Sequence, residues 1–213
     1  MNVERYWINL TGRVTACATH DLNNVLATIR ESAGLIKDCM ETGNSFEGKA
    51  GRMAGSSLNV IQSQVGSGIT LVNAVNRFAH ISDTDQGHSG NLSDVAGHAV
   101  FLMTGLAKRQ GLSLTLAGSE ENAGVSGDQF LVNIVVFLMI DLVMECCEQG
   151  DSIDVSVSEG GERSVLFVDR KNGPVRIPES SEKLDLLKKT IESVGGHMGK
   201  DLATKGVQGF FAK

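Results

Sequence analysis

Apolar residues recur every three or four positions through roughly the first eighty residues, which is the spacing of one face of an α-helix. The pattern predicts a first helix over Glu4–Met40 and a second over Met53–Ala79, joined by the polar segment Glu41–Lys49. Two long helices with so short a connection form an antiparallel hairpin. Because a lone hairpin leaves half of each apolar stripe exposed, we expect two copies to pair as a homodimeric four-helix bundle.

The pattern changes after the polar stretch Ser82–Gly90, which we interpret as a linker. Helical spacing and period-two alternation then follow one another to the C-terminus. The predicted elements are helix Leu92–Gln110, strand Leu112–Leu116, helix Asp128–Glu148, strands Ile153–Ser158 and Ser164–Asp169, helix Ser181–Val194 and strand Val207–Ala212. The chain is therefore expected to be α+β, with the helical hairpin over residues 1–84 and an α/β sandwich over residues 90–213, in which helices cover one face of a sheet.

Composition and charge limit the kinds of partner. The 213 residues carry a formal net charge of −6, which disfavours binding to a phosphate backbone. The longest apolar run, Ile134–Ile140, is far shorter than the roughly 20 residues of a membrane span, and we find no secretion signal at the N-terminus. We expect a cytoplasmic protein with no nucleic-acid or membrane partner. Its four cysteines show no CxxC spacing and are expected to be reduced and buried, without a metal site.

The segment His20–Leu26, with the sequence HDLNNVL, carries the candidate chemistry. On a helix, His20 lies nearly opposite the apolar stripe, so its imidazole is expected to face solvent with a lone pair free for nucleophilic attack. Asp21 follows directly and can orient the ring through the other nitrogen. Asn24 lies one turn further on, within reach of a group bonded to His20. Taken alone, an exposed His–Asp pair is more often an ordinary solvated surface than a site.

HDLNNVL resembles the H-box of sensor histidine kinases of the nitrogen-regulation and hybrid type, and like that motif it lies on the first of two antiparallel helices. The resemblance continues along the chain. Leu92–Leu116 is similar to the helix and strand that open the family's ATP-binding domain, and Leu131–Leu142 matches its central helix without a gap. The resemblance implies a dimerisation and phosphotransfer hairpin followed by an ATPase-type sandwich, with His20 as the phosphoacceptor.

The nucleotide-binding motifs of that family are altered in this sequence. Phe137 and Asp141 stand where the family has asparagine, and a phenyl ring offers Mg²⁺ no oxygen. Lys171 replaces the aspartate that reads adenine, and an ammonium cannot accept the hydrogen of the adenine amino group. Glu182–Asp185 replaces the phosphate-binding glycines, and the segment before Ser181 is too short for the family's lid. We therefore expect a degenerate ATPase-like domain that binds no nucleotide or other cofactor.

What remains is similar to the ChpT-like histidine phosphotransferases, which resemble histidine kinases but carry phosphate between the receiver domains of response regulators. The resemblance implies that His20 accepts phosphate from a receiver aspartate and passes it on. Asp21 would orient the imidazole and stabilise the ring charge of phosphohistidine, and Asn24 would lie beside the transferred group. The Mg²⁺ for the reaction would come from the receiver.

Other functions stay open at this stage, of which an ATP-dependent kinase is the least favoured. Asp21 and Asn24 also match the acidic-x-x-Thr/Asn pattern of kinases that dephosphorylate their regulators, where the amide positions a water at the aspartyl phosphate. A protein that sequesters a kinase or a regulator would need no chemistry at His20. The remaining histidines are expected to be ordinary surface residues: His80, His88, His98 and His197.

Overall fold

The computed structural model describes residues 1–41, 48–83, 89–120, 123–199 and 206–213. Two long helices open the chain, α1 (Val3–Glu41) and α2 (Gly48–Ala79), which confirms both helices predicted there. Because the sequence has no proline before Pro174, nothing forces either helix to break. Most of the predicted loop at 41–49 and most of the predicted linker at 82–90 lie outside the described residues.

Beyond α2, a short 3₁₀ turn at Ile81–Asp83 leads into alternating helices and strands. The helices are α3 (Leu92–Arg109), α4 (Gln129–Glu145) and α5 (Glu182–Ser193). The strands are β1 (Gly90–Asn91), β2 (Ser113–Ser119), β3 (Gly124–Val125), β4 (Ser152–Gly160), β5 (Arg163–Arg170), β6 (His197–Met198) and β7 (Gly206–Ala212). Every helix and strand predicted from the sequence is present. The two-residue strands β1, β3 and β6 were not predicted.

Five strands form one sheet in the order β2-β4-β5-β7-β6. The β2–β4 pair is parallel and the other pairs are antiparallel. Along β4 the side chains alternate between buried Ile153, Val155 and Val157 and partly exposed polar residues, so one face of the sheet is buried. Helices α3 and α4 both contact β4, which confirms the predicted α/β sandwich.

The three helices of the sandwich each begin at a side-chain cap. Asn91, Asp128 and Ser181 accept hydrogen bonds from backbone N–H groups in the first turns of α3, α4 and α5, which satisfies donors that have no partner within the helix. Helix α4 is buried on nearly all sides and forms the centre of the core. Two of the altered nucleotide positions, Phe137 and Asp141, lie on this helix.

The contacts divide the chain into two compact units. The sandwich unit comprises Met1–Val14 and Phe78–Lys213, and the hairpin unit comprises Thr15–Arg77. In the sandwich unit the first part of α1 is packed through Tyr6 and Leu10, which are buried. The domains predicted from the sequence, 1–84 and 90–213, remain a prediction. The division by contacts differs in that it assigns the first turns of α1, Met1–Val14, to the unit that contains the sheet.

In the hairpin unit, α2 carries two different apolar sides. Small residues occupy its buried side, among them Ala54, Ser57 and Gly68. A second side is apolar and exposed, and we call its residues the α2 stripe: Leu58, Val65, Ile69 and Val72. The spacing of these four residues is that of the seam of a coiled coil.

Candidate functional site

His20 is presented to solvent from the interior of a long helix. Its side chain is 62% exposed. One turn earlier on α1, Cys17 lies on the buried side of the helix, and Val25 further along is partly buried. The imidazole therefore faces solvent, as the helical spacing predicts.

Two side chains of the same helix hold one edge of the imidazole. The Nδ1 atom of His20 lies 3.2 Å from Oδ1 of Asp21 and 3.3 Å from Nδ2 of Asn24. The structure thus brings together all three candidate residues taken from the sequence. Both contacts involve Nδ1, whereas Nε2 makes no hydrogen bond to any of the residues that the structure describes.

The chemistry of the two partners indicates which nitrogen carries the hydrogen. An ionised carboxylate can only accept hydrogen bonds, so Asp21 favours the tautomer with the hydrogen on Nδ1. Asn24 can present its amide oxygen to the same N–H, because the two ends of an amide exchange places by a flip. The lone pair is then on Nε2, on the side of the ring away from both partners.

Asp21 is itself held by a residue one turn earlier. The thiol of Cys17 donates to Oδ2 of Asp21 at 3.9 Å, while Oδ1 of the same carboxylate faces His20. Cys17 is 2% exposed. Sequence reasoning gave Cys17 no role beyond that of a small buried residue. The signal that could have found it is its spacing of four residues from Asp21, which places the two on neighbouring turns of one helix face.

A second exposed histidine also has a carboxylate partner, which sequence reasoning missed. The Nδ1 atom of His80 lies 2.8 Å from Oδ2 of Asp83, and this hydrogen bond lowers the pKa of Asp83. The side chain of His80 is 65% exposed. Exposure and a carboxylate therefore do not set His20 apart. Its additional contact with Asn24 and its place in the middle of a long helix do.

The prediction that the other histidines are ordinary surface residues has a different outcome for each of them. For His98 the prediction is wrong, because α3 turns it into the interior, where it is 8% exposed. His197 is exposed, but its ring stacks on Phe210 with the ring centroids 4.6 Å apart. His88 lies outside the described residues.

In the sandwich unit, the first altered asparagine position is surrounded by aromatic rings. Phe137 is fully buried, and its ring centroid lies 5.4 Å from that of Phe78 and 6.4 Å from that of Trp7. Trp7 also packs against Phe78 at 4.7 Å and against Phe130 at 5.4 Å. Tilted and edge-to-face rings at these distances attract one another. The four rings form an aromatic cluster, and Phe137 has no polar atom to offer a nucleotide.

The second altered position is a buried carboxylate neutralised by two cations. Asp141 is 1% exposed, with Oδ1 lying 2.9 Å from Nη2 of Arg13 and Oδ2 lying 3.0 Å from Nη1. Lys183 approaches Oδ2 of Asp141 at 2.5 Å and Oε1 of Glu145 at the same distance. Burial, with the charge of Asp141 adding to it, raises the pKa of neighbouring Tyr6 well above its ordinary value. Both carboxylate oxygens are therefore engaged by protein cations.

Lys171, where the resemblance places an adenine-reading aspartate, forms an ion pair. Lys171 lies 3.0 Å from Oδ2 of Asp154, and the hydroxyl of Thr115 donates to Oδ1 of Asp154 at 2.5 Å. The segment that follows, from Lys171 to Ser181, connects β5 to α5 without a helix or strand of its own.

Within the described ranges, no group of histidine, cysteine, aspartate and glutamate side chains could hold a metal ion. In the same part of the chain, no helix is both long and apolar enough to cross a membrane.

No protein-family model and no curated protein sequence matches this chain, but solved structures do. Two nucleotide-free structures of the catalytic domain of histidine kinase ThkA match with TM-scores of 0.51 and 0.50, at 12% and 14% sequence identity. Each match covers 61% of this chain, and they cover 98% and 97% of the ThkA chains. A structure of ThkA in complex with the response regulator TrrA matches over 98% of this chain and 64% of the ThkA chain, at 17% identity and a TM-score of 0.49.

The likeness to the ThkA catalytic domain concerns architecture. It shows that this chain has the histidine kinase catalytic-domain fold, which confirms the fold expected from the H-box resemblance. What the fold does in this chain follows from its side chains.

Proposed function

We propose that this chain, whose fold is that of a histidine kinase catalytic domain, is a histidine phosphotransfer protein of a two-component phosphorelay. His20 accepts a phosphoryl group from the receiver aspartate of one response regulator and passes it to another receiver. The observation that carries the proposal is an exposed imidazole whose Nδ1 is held by Asp21 and Asn24 while Nε2 is left to react. The H-box resemblance supports the same assignment.

The proposed step needs little from this chain. The lone pair on Nε2 of His20 attacks the phosphorus of the aspartyl phosphate, a nitrogen–phosphorus bond forms, and the phosphorus–oxygen bond to the receiver breaks. The receiver carboxylate leaves as an anion. The phosphorylated ring keeps its hydrogen on Nδ1 and carries a positive charge, which the carboxylate of Asp21 stabilises. In the reverse direction the carboxylate of the next receiver attacks the phosphorus, and we expect the receivers to supply Mg²⁺.

The proposal includes the absence of nucleotide binding, because the residues at the former nucleotide positions do not fit ATP with Mg²⁺. A hard cation needs oxygen ligands, but Phe137 lies in the aromatic cluster and both oxygens of Asp141 face Arg13 or Lys183. The phosphoryl group must then come from another phosphoprotein, which agrees with the role of a phosphorelay intermediate.

We also propose that the chain acts in the cytoplasm as a homodimer formed through the hairpin unit. The α2 stripe places four large apolar side chains in solvent, with Ile69 57% exposed and Leu58 52% exposed. Exposed apolar patches of this kind mark interaction surfaces. Their coiled-coil spacing suits a second helical hairpin, and a second copy of the chain supplies one.

The test mixes the full chain with receiver domains that carry a radiolabelled aspartyl phosphate. We expect the label to move to this chain as acid-labile phosphohistidine and to be lost in His20→Gln. The matched control is His80→Gln, because His80 is equally exposed and has its own carboxylate; this variant should accept label normally.

Three other results would contradict the proposal or a part of it. Release of free phosphate without label on His20 would indicate a response-regulator phosphatase that uses Asn24. Binding of the receiver with its phosphate left in place would indicate a protein that sequesters its partner. Saturable ATP binding in calorimetry would contradict the part of the proposal that concerns nucleotide.

A further inference from the structure

Gly68 lies inside α2, where the backbone does not require a glycine. Its φ is not among the positive values found in the described residues. In a helix interior, glycine costs about 1 kcal/mol relative to alanine. Because an alanine could adopt the same backbone conformation, the reason for a glycine has to lie in packing.

The packing reason is the closeness of α1. A Cβ atom on Gly68 would lie 3.3 Å from Cγ1 of Val25 and 3.9 Å from Cδ1 of Leu22. The first distance is shorter than the optimal carbon–carbon separation of about 3.5–4.0 Å. Gly66, on the same helix, differs: apart from its chain neighbours and the backbone of its own helix, no described atom lies within 4 Å of a Cβ built there.

Each of the two residues that Gly68 faces directly follows a residue of the proposed site. Asp21 directly precedes Leu22, and Asn24 directly precedes Val25. A β-branched side chain in a helix has one strongly preferred rotamer, so Val25 cannot easily turn away from a new methyl group. The contact therefore has to open by a few tenths of an ångström, and we expect this turn of α1 to take up part of that shift.

A small shift of this turn matters because the contacts of Asp21 and Asn24 with the imidazole are already near the upper limit of hydrogen-bond distance. Nδ1 of His20 lies 3.2 Å from Asp21 and 3.3 Å from Asn24, whereas good hydrogen bonds of nitrogen extend to about 3.2 Å. A local bend that adds a few tenths of an ångström to these distances would release the ring.

We propose that Gly68 is a positioning residue for phosphotransfer. Its missing Cβ lets α2 support the turn from Leu22 to Val25 at the distance at which Asp21 and Asn24 hold the imidazole of His20. Gly68 acts through Leu22 and Val25. The inference rests on the proposed function and adds a residue from the second helix to its site.

The kinetic test compares Gly68→Ala with Gly66→Ala in the full chain. Both variants remove a helix glycine, but only Gly68→Ala meets Val25. At saturating phosphorylated receiver, we expect the rate of labelling of His20 to fall about tenfold in Gly68→Ala and to stay unchanged in Gly66→Ala. Adding Val25→Ala to Gly68→Ala removes the crowded methyl group and should restore the rate, with Val25→Ala alone as its control. Equal rates in the two glycine variants would overturn the proposal.

A second measurement does not depend on phosphotransfer. The nitrogen chemical shifts of the His20 imidazole in NMR report which nitrogen carries the hydrogen. We expect the Nδ1–H form to dominate in the wild type and in Gly66→Ala, and to lose population in Gly68→Ala. Unchanged populations would overturn the positioning role. If no receiver labels the wild type, the proposed function fails, and the NMR comparison alone decides the role of Gly68.

Folding is checked by thermal melting of each variant. If Gly68→Ala unfolds too readily for kinetics, the double variant with Val25→Ala carries the comparison against Val25→Ala alone. We then expect equal labelling rates in these two proteins, because the crowded methyl group is missing in both. A slower double variant would overturn the proposal.

Discussion

Arg13 and Asp141 lie 128 positions apart in the sequence and meet through a hydrogen bond from Nη1 to Oδ2 at 3.0 Å and an ion-pair contact between Nη2 and Oδ1 at 2.9 Å. The Nη1–Oδ2 contact is a hydrogen bond between charged groups, and the Nη2–Oδ1 contact adds to the attraction between the two opposite charges. Lys183 adds a third contact from α5. The first part of α1 is therefore tied to α4 and α5 by charge as well as by aromatic packing.

Asp141→Asn should destabilise the chain, although it introduces the amide that the resemblance to histidine kinases places at this position. It leaves Arg13 and Lys183 without the carboxylate that neutralises them. We expect a loss of about 3 kcal/mol in the free energy of unfolding measured with urea, and no gain of nucleotide affinity. Glu145→Gln is the control, because Glu145 contacts Lys183 while 52% exposed, and should cost about 1 kcal/mol or less. Equal losses would contradict the buried ion pair.

Phe137→Asn should also destabilise the chain, by about 3 kcal/mol or more. It removes a fully buried ring from the aromatic cluster and places an amide among apolar side chains. Phe101→Asn is the matched control, because Phe101 lies on α3 and is 43% exposed; it should change the free energy of unfolding by less than about 1 kcal/mol. Nucleotide binding gained by Phe137→Asn would show that this one ring is what blocks ATP.

Ile69→Asp should convert the proposed homodimer to a monomer, because it places a charge in the centre of the α2 stripe. The mass of the particle in light scattering after gel filtration reports the change. Ile8→Asp is the control: Ile8 is 70% exposed, but it lies in the sandwich unit. A dimer that survives Ile69→Asp, or a wild type that is already monomeric, would contradict pairing through the hairpin unit.

Asp154 should make stability depend on pH in the acid range. Partial burial raises the pKa of Asp154, but hydrogen bonds from Thr115 and Lys171 outweigh it, so the pKa lies below its ordinary value of 3.8. A carboxyl whose pKa is lower in the folded state stabilises fully above the unfolded pKa and loses this contribution as pH falls through the folded pKa. Asp154→Asn should therefore melt at a lower temperature than the wild type near neutral pH, and the difference should shrink below about pH 4. A difference that is constant with pH would contradict the ion pair.

Periodicity predicts which side of a helix is buried, but not what covers it. The N-terminal stripe predicts α1 and the exposure of His20, because both depend only on local spacing. The same stripe continues without a break from Leu10 to Cys17, yet the first belongs to the sandwich unit and the second to the hairpin unit. No local pattern marks that exchange of partners.

Contacts between side chains that are distant in the sequence could not be predicted from local patterns either. That Asp141 is neutralised by Arg13 and Lys183 depends on the packing of three helices, although the sequence did single out Asp141 and Lys183 as departures from the kinase pattern. The strands β1, β3 and β6 were missed because two residues are too few to show an alternation. His98 was misplaced although α3 itself was predicted.

The sandwich unit is assembled from two stretches of the chain that the hairpin unit separates, Met1–Val14 and Phe78–Lys213. A protein fragment that begins at residue 90 would lack Trp7 and Phe78, leave Phe137 without those rings, and deprive Asp141 of Arg13. We expect such a fragment to aggregate. A protein in which residues 1–14 are joined directly to residue 78 would regain the packing of Trp7 and Phe78 against Phe137 and the ion pair of Arg13 with Asp141. Any natural or engineered exchange of this module between genes would have to move two separate stretches of coding sequence together.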